Sequence, residues 1–388
     1  MKINSPKLFL AMATVFLFTA CQKEGPTNSS DEVFEGVNVT ASTKTTTEIE
    51  KPIVALQFDR SKFSNDIPFE FSQVVTPSDC SPTQFDTAIN NSISSNIDAL
   101  GANWYSTYVD MNFYYTLTDS NEQYFGANGE YTNLVKKITR TLEKFWNMPN
   151  EVSIRGQHRA TLNDPNKIIE ILMFWYGMPE ATANFYTDYF VNYVNIESTF
   201  LIETPLIALD GFAIALGGQF GQGDLIVIGD GLIELSSKAG VDAKVSWEGI
   251  MAHEWGHQIQ FNKSSEWYPN GAADNAPEAT RTTELEADFF TGYYLTHKRG
   301  GTYNWKATQQ FLTLFFNIGD CSFTSSGHHG TPNQRLEAAR QGYLLAQKAQ
   351  KNGHILNEEV VHQSFLSILP VIVGDDQPNN DELLLNAQ

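Results

Sequence analysis

Basic residues are scarce in this chain. Its 388 residues include 25 lysines and arginines against 45 aspartates and glutamates, which gives a formal net charge of -20. A nucleic-acid partner would require a basic surface to meet its phosphates, so this composition argues against nucleic-acid binding. It also weighs against broad contact with anionic lipid head groups. A strongly acidic chain of this kind favours solubility.

The hydrophobic run at the N-terminus is short. Residues 8–18 are almost wholly apolar and follow Lys2 and Lys7. The run is too short for an ordinary membrane-spanning helix. A positive start before a short apolar run is typical of a secretory signal, so we predict that residues 1–20 are a signal peptide.

Cysteines are also few. Of the three, Cys21 directly follows the predicted signal peptide, and the other two lie further along the chain. Cys21 follows Phe18-Thr19-Ala20, and "FTAC" resembles a bacterial lipobox, although Leu is more usual at the place of Phe18. The resemblance implies cleavage before Cys21 and lipid on its thiol. The protein would then be exported and anchored by lipid to the outer membrane of the bacterial cell envelope, on its periplasmic or surface face. A plain signal peptide is the alternative.

Cys80 and Cys321 could form a disulfide or remain two separate buried thiols, and the sequence leaves both open.

The rest of the chain is organised around one long central region without internal repeats. Residues 21–52 contain few large apolar side chains, so they cannot bury enough surface to offset the entropy of ordering. We predict a flexible tether there and a loose acidic tail at 374–388. Residues 53–373 are enough for one large domain or for two lobes that share a cleft.

Hydrophobic periodicity predicts an α+β domain in which a mixed sheet precedes a helical half. Residues 53–130 give no clear assignment. Beyond them the pattern predicts a helix at 131–146, a strand at 151–156 and a helix that starts at Asp164-Pro165. "PLIALDGFAIALGG" (205–218) and "DLIVIGDGLIEL" (224–235) are typical of two neighbouring strands. The helices predicted after these strands are 242–261, 281–297, 304–318, 333–351 and 357–369.

The segment "MAHEWGHQIQF" (251–261) carries the candidate chemistry. His253 and His257 are four residues apart, so on a helix both imidazoles lie on one face and can bind one metal ion. Glu254 can take a proton from a water molecule in the same cleft and pass it to a leaving group. Gly256 costs about 1 kcal/mol relative to Ala inside a helix, which predicts a close packing contact there.

Two histidines on one face can also be ordinary residues of a core helix, so the interpretation needs a third ligand. "TTELEADFF" (282–290) supplies one, because Glu284 follows His257 after a gap long enough for a loop and a returning helix. Asp288, one turn further, can hold the ring of a ligand histidine, with His253 the expected one. Glu286 should point elsewhere, and we predict a solvated surface carboxylate for it.

His-Glu-x-x-His followed by Glu-x-x-x-Asp resembles the gluzincin clan of zinc metallopeptidases. "AHEWGHQIQ" with "ELEADFFTGYY" is most similar to the bacterial neutral zinc metallopeptidases. The resemblance implies a zincin-like fold of two subdomains, with a mixed sheet, an active-site helix and a helical C-terminal half. It further implies one Zn²⁺ bound by His253, His257 and Glu284, with Glu254 as general base in peptide-bond hydrolysis. The expected partner is a protein or peptide substrate.

The same resemblance implies further substrate contacts upstream of the motif. "LDGFAIALGG" is similar to an edge strand that pairs with extended substrate in those families. It implies substrate binding at Asp210, Gly211, Phe212 and Ala213, although relatives often have Asn in place of Asp210.

Downstream, "GHHGTPNQRLEAARQGY" is similar to a His-Gly-Thr…Gln-Arg segment of these families. It implies that His329, or its neighbour His328, stabilises the oxyanion, a role for which Tyr293 is another candidate. A surface-loop histidine is the alternative. Arg335 is expected to pair with an acidic group near the site.

Two other functions remain open at this stage. One is a non-catalytic exported surface lipoprotein on a zincin scaffold, and the other is a zinc amidase that acts on cell-wall peptide. The sequence does not indicate the cleavage specificity, the oligomeric state or whether the region before residue 130 is a pro-segment.

Overall fold

The computed structural model describes six stretches of the chain, and it describes none of the terminal segments considered above. The described residues are 82–94, 97–216, 223–268, 276–319, 329–350 and 354–374. The predicted signal peptide, the tether, all three cysteines and His328 lie outside them, as does the tail after Gly374. None of the described helices combines the length and the apolar character that a membrane span requires.

Helices make up most of the described chain, and three short strands form one sheet. The helices are α1 (Gln84–Ser94), α2 (Ala99–Thr118), α3 (Thr132–Trp146), α4 (Pro165–Phe174), α5 (Glu180–Tyr189), α6 (Asn195–Glu197), α7 (Thr199–Glu203), α8 (Asp230–Lys238), α9 (Ala243–Trp267), α10 (Ala276–Thr296), α11 (Trp305–Asn317), α12 (Pro332–Gln350) and α13 (Glu358–Gly374). The strands are β1 (Val152–Gln157), β2 (Gly211–Ile214) and β3 (Asp224–Gly229). The predicted α+β class is therefore confirmed.

The sheet is mixed, and β3 is its central strand. β3 pairs in parallel with β1 and antiparallel with β2. Because successive side chains of a strand point to opposite faces, β3 contributes to two cores. Leu225 and Val227 belong to an apolar cluster with α2, α4 and α5, whereas Ile226 and Ile228 belong to the cluster that contains α9. The two cores flank the sheet, and the division into two lobes with a cleft stays a prediction.

Helix α9 carries the His-Glu-x-x-His segment and lies against this sheet. Its N-terminus is capped by Asp242, whose side chain accepts a hydrogen bond from the backbone N–H of Lys244. Further along, the Gln258 amide donates to the backbone oxygen of Leu225 at 2.9 Å. Gly256 faces α10 so closely that an added Cβ would lie 3.0 Å from the Cα of Ala287. The predicted close contact at Gly256 is confirmed, and it brings α9 and α10 together at the site.

Two of the predicted strands are shorter than expected. The segment from Asp230 to Leu235 is the start of α8, not the end of a strand, and Pro205–Ala208 is a 3₁₀ turn before β2. Strand β3 ends at Gly229, because α8 begins at the next residue and packs tightly on the 3₁₀ turn at Pro205–Ala208. A Cβ at Gly231 would lie 1.7 Å from the backbone oxygen of Pro205. The apolar run alone did not indicate this change, because it continues through both elements.

The region that gave no assignment contains α1 and α2 where it is described. Residues 111–117 of α2 are all buried, so this part of the helix is enclosed on every side. A helix buried all round has no amphipathic period, which is why its sequence did not reveal it.

Glu248 on α9 should make stability depend on pH. Burial raises the pKa of this half-buried carboxyl to about 7, although the Tyr303 hydroxyl and Lys137 oppose the shift. A carboxyl whose folded pKa is raised adds stability that is fully present below its unfolded pKa and is lost as pH rises through 7. Glu248→Gln should therefore stabilise the metal-free protein relative to wild type by about 1–3 kcal/mol at pH 8, with little difference at pH 4.5.

Urea unfolding of both proteins at each pH, with a chelator present, measures this difference. Glu197→Gln, at an exposed position, is the matched control and should show no pH-dependent difference. An equal effect of Glu248→Gln at both pH values would contradict the prediction.

Candidate metal centre

Three buried side chains from α9 and α10 converge at one point. The Nε2 atoms of His253 and His257 lie 3.2 Å apart. The two carboxylate oxygens of Glu284 lie 3.2 Å from His253 Nε2 and 3.3 Å from His257 Nε2. The His253, His257 and Glu284 side chains could together hold a metal ion. The structure thus brings together the three residues that the sequence indicated as ligands.

An oxygen of a neighbouring side chain lies behind each imidazole. His253 Nδ1 lies 2.9 Å from an oxygen of Asp288, and His257 Nδ1 lies 2.8 Å from the side-chain oxygen of Gln260. Oxygens of this kind accept hydrogen bonds, so each Nδ1 carries the proton in a neutral ring. Both Nε2 lone pairs then point toward the Glu284 carboxylate. Two lone pairs and a carboxylate repel one another unless a cation lies between them.

The spacing of these three groups is compatible with one bound metal ion. Nitrogen and oxygen ligands bound at about 2.0–2.2 Å to a tetrahedral zinc ion lie about 3.4 Å from each other. The nitrogen–nitrogen separation of 3.2 Å, and the separations of 3.2 and 3.3 Å to the two different oxygens of Glu284, come close to this value. Two imidazoles and one carboxylate are also a known catalytic zinc set with one position open. The structure supports a metal centre, and zinc remains the proposed ion.

Arg335 fixes the acidic side of the centre. Its guanidinium donates two hydrogen bonds to Asp288, at 2.6 and 2.7 Å, and its third nitrogen lies 3.5 Å from Glu284. Arg335 thus pairs with an acidic group beside the site, as expected. Burial alone would raise the pKa of Glu284, but nearby His329 and the two ligand histidines bring that pKa well below its usual value. Glu284 is therefore a carboxylate, the form that binds metal.

Glu254 is fully buried and has no hydrogen-bond partner for either carboxylate oxygen among the described residues. Burial raises its pKa to about 7, while His253 and His257 pull it down and Glu284 pushes it up. Leaving a buried carboxyl without a partner costs free energy. A carboxyl kept in this condition beside three ligands is a candidate for chemistry.

His329 lies at the same carboxylate. Its Nδ1 is 3.1 Å from Glu284, and only 4% of the residue is exposed. It is therefore not a surface-loop histidine, and it is close enough to act at the site. Tyr293 is placed elsewhere, because its hydroxyl accepts the backbone N–H of Leu356 and its ring packs against Phe145. Nine residues beyond Glu284, Tyr293 lies on the opposite face of α10.

The candidate edge strand occupies an outer position of the described sheet. β2 has β3 as its neighbour on one side, and its residues Gly211, Phe212 and Ala213 are buried. Asp210 precedes it with 3% exposure, and its carboxylate accepts a hydrogen bond from Gln157 at 2.6 Å. Substrate pairing at these four residues stays a prediction. It requires that the outer edge of β2 becomes accessible.

Glu286 was predicted wrongly as a solvated carboxylate. It points away from the three ligands, as expected, but it is fully buried. Its oxygens accept hydrogen bonds from Gln260 at 2.9 Å and from Tyr268 and His362 at 2.5 Å each. Because His362 lies on α13, 76 residues along the chain, no local pattern around Glu286 could have indicated this burial.

Comparison with protein-family models, with curated proteins and with solved structures finds no significant match. The resemblance to zinc metallopeptidases therefore depends on the sequence motifs alone and stays a prediction.

Proposed function

We propose that this chain is a zinc-dependent endopeptidase with a zincin-like fold. Glu254 carries the proposal, because it is a buried, unpartnered carboxyl next to two histidines and a carboxylate at zinc-ligand spacing. A purely structural metal site would need only the ligands and no free carboxyl beside them. This observation favours an enzyme over a non-catalytic lipoprotein on the same scaffold.

Zinc held by His253, His257 and Glu284 would make a water molecule more acidic and polarise the scissile carbonyl. Glu254 accepts the proton of the attacking water and then donates it to the leaving amine. A pKa near 7 suits both steps at neutral pH, since the group can take and give a proton. His329, beside Glu284, donates a hydrogen bond to the oxyanion. Asp288, 2.9 Å behind His253 Nδ1, keeps that ligand ring oriented.

Removal of zinc should abolish cleavage. We expect the purified protein to cut casein and quenched fluorescent peptides, to lose this activity in 1,10-phenanthroline and to regain it with added Zn²⁺. The same series with cell-wall muropeptides separates a peptidase of protein substrates from an amidase of cell-wall peptide. Cleavage that continues at full rate after zinc has been removed would contradict the proposal.

The proposed location is the bacterial cell envelope, with lipid on Cys21 as the membrane anchor. Cys21→Ser should abolish incorporation of a labelled fatty acid during expression and release the protein from the membrane fraction. Cys80→Ser is the matched control and should leave labelling unchanged. Equal labelling of wild type and Cys21→Ser would show that Cys21 is not the lipid site.

A further inference from the structure

A buried chain of hydrogen bonds leads away from the metal centre behind His257. It starts at His257 Nδ1, passes through the amide of Gln260 to Glu286, and ends at His362 on α13. Gln260 is 1% exposed, Glu286 is fully buried and His362 is 3% exposed. Neither the resemblance to zinc metallopeptidases nor the proposed chemistry uses this chain.

The amide of Gln260 is held in one orientation. Its nitrogen donates at 2.9 Å both to the backbone oxygen of Thr283 and to Glu286. These two partners only accept hydrogen bonds, so the nitrogen must face them and the oxygen must face His257. The oxygen then accepts a hydrogen bond from the Nδ1–H of His257, and the Nε2 lone pair is left for the metal.

Glu286 is itself held by α13 and by the end of α9. Tyr268 and His362 both donate to it, and the His362 ring stacks on Trp267 with centroids 4.0 Å apart. Burial and the Glu286 charge raise the pKa of Tyr268 well above its usual value, so its hydroxyl keeps the proton that it donates. The carboxylate therefore has a fixed position from which it orients Gln260.

We propose that Gln260 and Glu286 are positioning residues for His257, and that through His362 they link metal binding to the C-terminal helix α13. Gln260 orients the ligand directly, and Glu286 acts through Gln260. The inference depends on the proposed zinc binding but not on peptidase activity.

Zinc affinity measured by competition with a chromophoric chelator, without substrate, tests this inference. Gln260→Met removes the acceptor and should weaken zinc binding by about 10–100-fold, the usual cost of losing a partner behind a ligand. It should also alter the visible spectrum of the Co²⁺-substituted protein. Gln258→Met is the matched control, because Gln258 is a fully buried glutamine on the same helix that hydrogen-bonds the sheet. It should keep wild-type affinity even if it lowers stability.

A double-mutant cycle tests the role of Glu286. Glu286→Gln should weaken zinc binding by about 10-fold in the wild-type background and have no further effect beside Gln260→Met, because the connection is already broken. If Gln260→Met does not fold, Gln260→Asn replaces it in the test. Asn keeps the amide group, but its side chain is one methylene shorter and its oxygen should not reach His257 Nδ1.

Three results would overturn the inference. They are wild-type zinc affinity in folded Gln260→Met, an equal loss in Gln258→Met, and an equal effect of Glu286→Gln in both backgrounds. Normal zinc binding without peptide cleavage would instead refute the proposed function and leave this inference standing.

Discussion

Glu254→Gln should retain zinc and lose nearly all peptide cleavage. Gln has the shape of Glu but cannot accept the proton of the attacking water. General-base catalysis of this kind contributes about 10²–10⁴-fold to rate, and we expect kcat to fall by that amount. Zinc content should not change, because Glu254 is not one of the three convergent ligand groups. Kinetics on a quenched peptide and metal analysis of the same sample measure both quantities.

The same substitution should leave the metal-free protein as stable as wild type or more stable. Neither Glu254 oxygen has a partner among the described residues, so Gln removes the cost of burying a charge without breaking a hydrogen bond among them. Glu266→Gln, at the exposed end of the same helix, is the control and should change neither rate nor stability beyond about 0.5 kcal/mol. A Glu254→Gln enzyme with wild-type turnover would remove Glu254 from the mechanism.

Glu284→Gln should abolish tight zinc binding. The substitution keeps the size of the side chain but replaces the charged ligand with a neutral amide. The loss of affinity should exceed the roughly 10–100-fold that follows when only a supporting partner is removed. Activity should fall in parallel, because every catalytic step depends on this centre.

Thermal unfolding with and without zinc gives an independent measure of the Glu284 effect. Zinc at 100 times its dissociation constant should stabilise wild type by about 2.7 kcal/mol and Glu284→Gln by much less. Glu197→Gln, at an exposed position of α6, should respond to zinc like wild type. A Glu284→Gln protein that zinc stabilises as strongly as wild type would exclude Glu284 as a ligand.

The ligand set could be predicted from sequence because it depends on short-range helix geometry. His253 and His257 share a face of α9 whatever surrounds the helix, and Glu284 with Asp288 does the same on α10. Gly256 indicated the close approach of the two helices, and the structure has that contact at Ala287.

The supporting shell could be predicted only where a motif included it. Asp288 and Arg335 belong to recognisable segments, and both lie beside the ligands. Glu286 was misjudged, because its burial depends on His362 and Tyr268, which lie 76 and 18 residues away in sequence. Long-range partners of this kind leave no local periodicity.

Around the sheet, too, elements with a regular local pattern were predicted correctly, and a boundary set by a tertiary contact was missed. β1 and α3 have the predicted bounds to within one residue, because their patterns are regular. The start of α8 was missed, since the apolar run of β3 continues into it without a break in composition. Its packing against the turn at Pro205 is a tertiary contact, and tertiary contacts override local preference.

A proteome-derived peptide library, digested side by side with zinc-loaded wild type and Glu254→Gln, tests the central claim most directly. Mass spectrometry of the products should show internal cleavages by wild type that share a residue preference around the cut bond. Glu254→Gln should produce almost none of them while holding the same amount of zinc. An identical set of cleavages from both proteins, or none from zinc-loaded wild type, would contradict a zinc endopeptidase that uses Glu254.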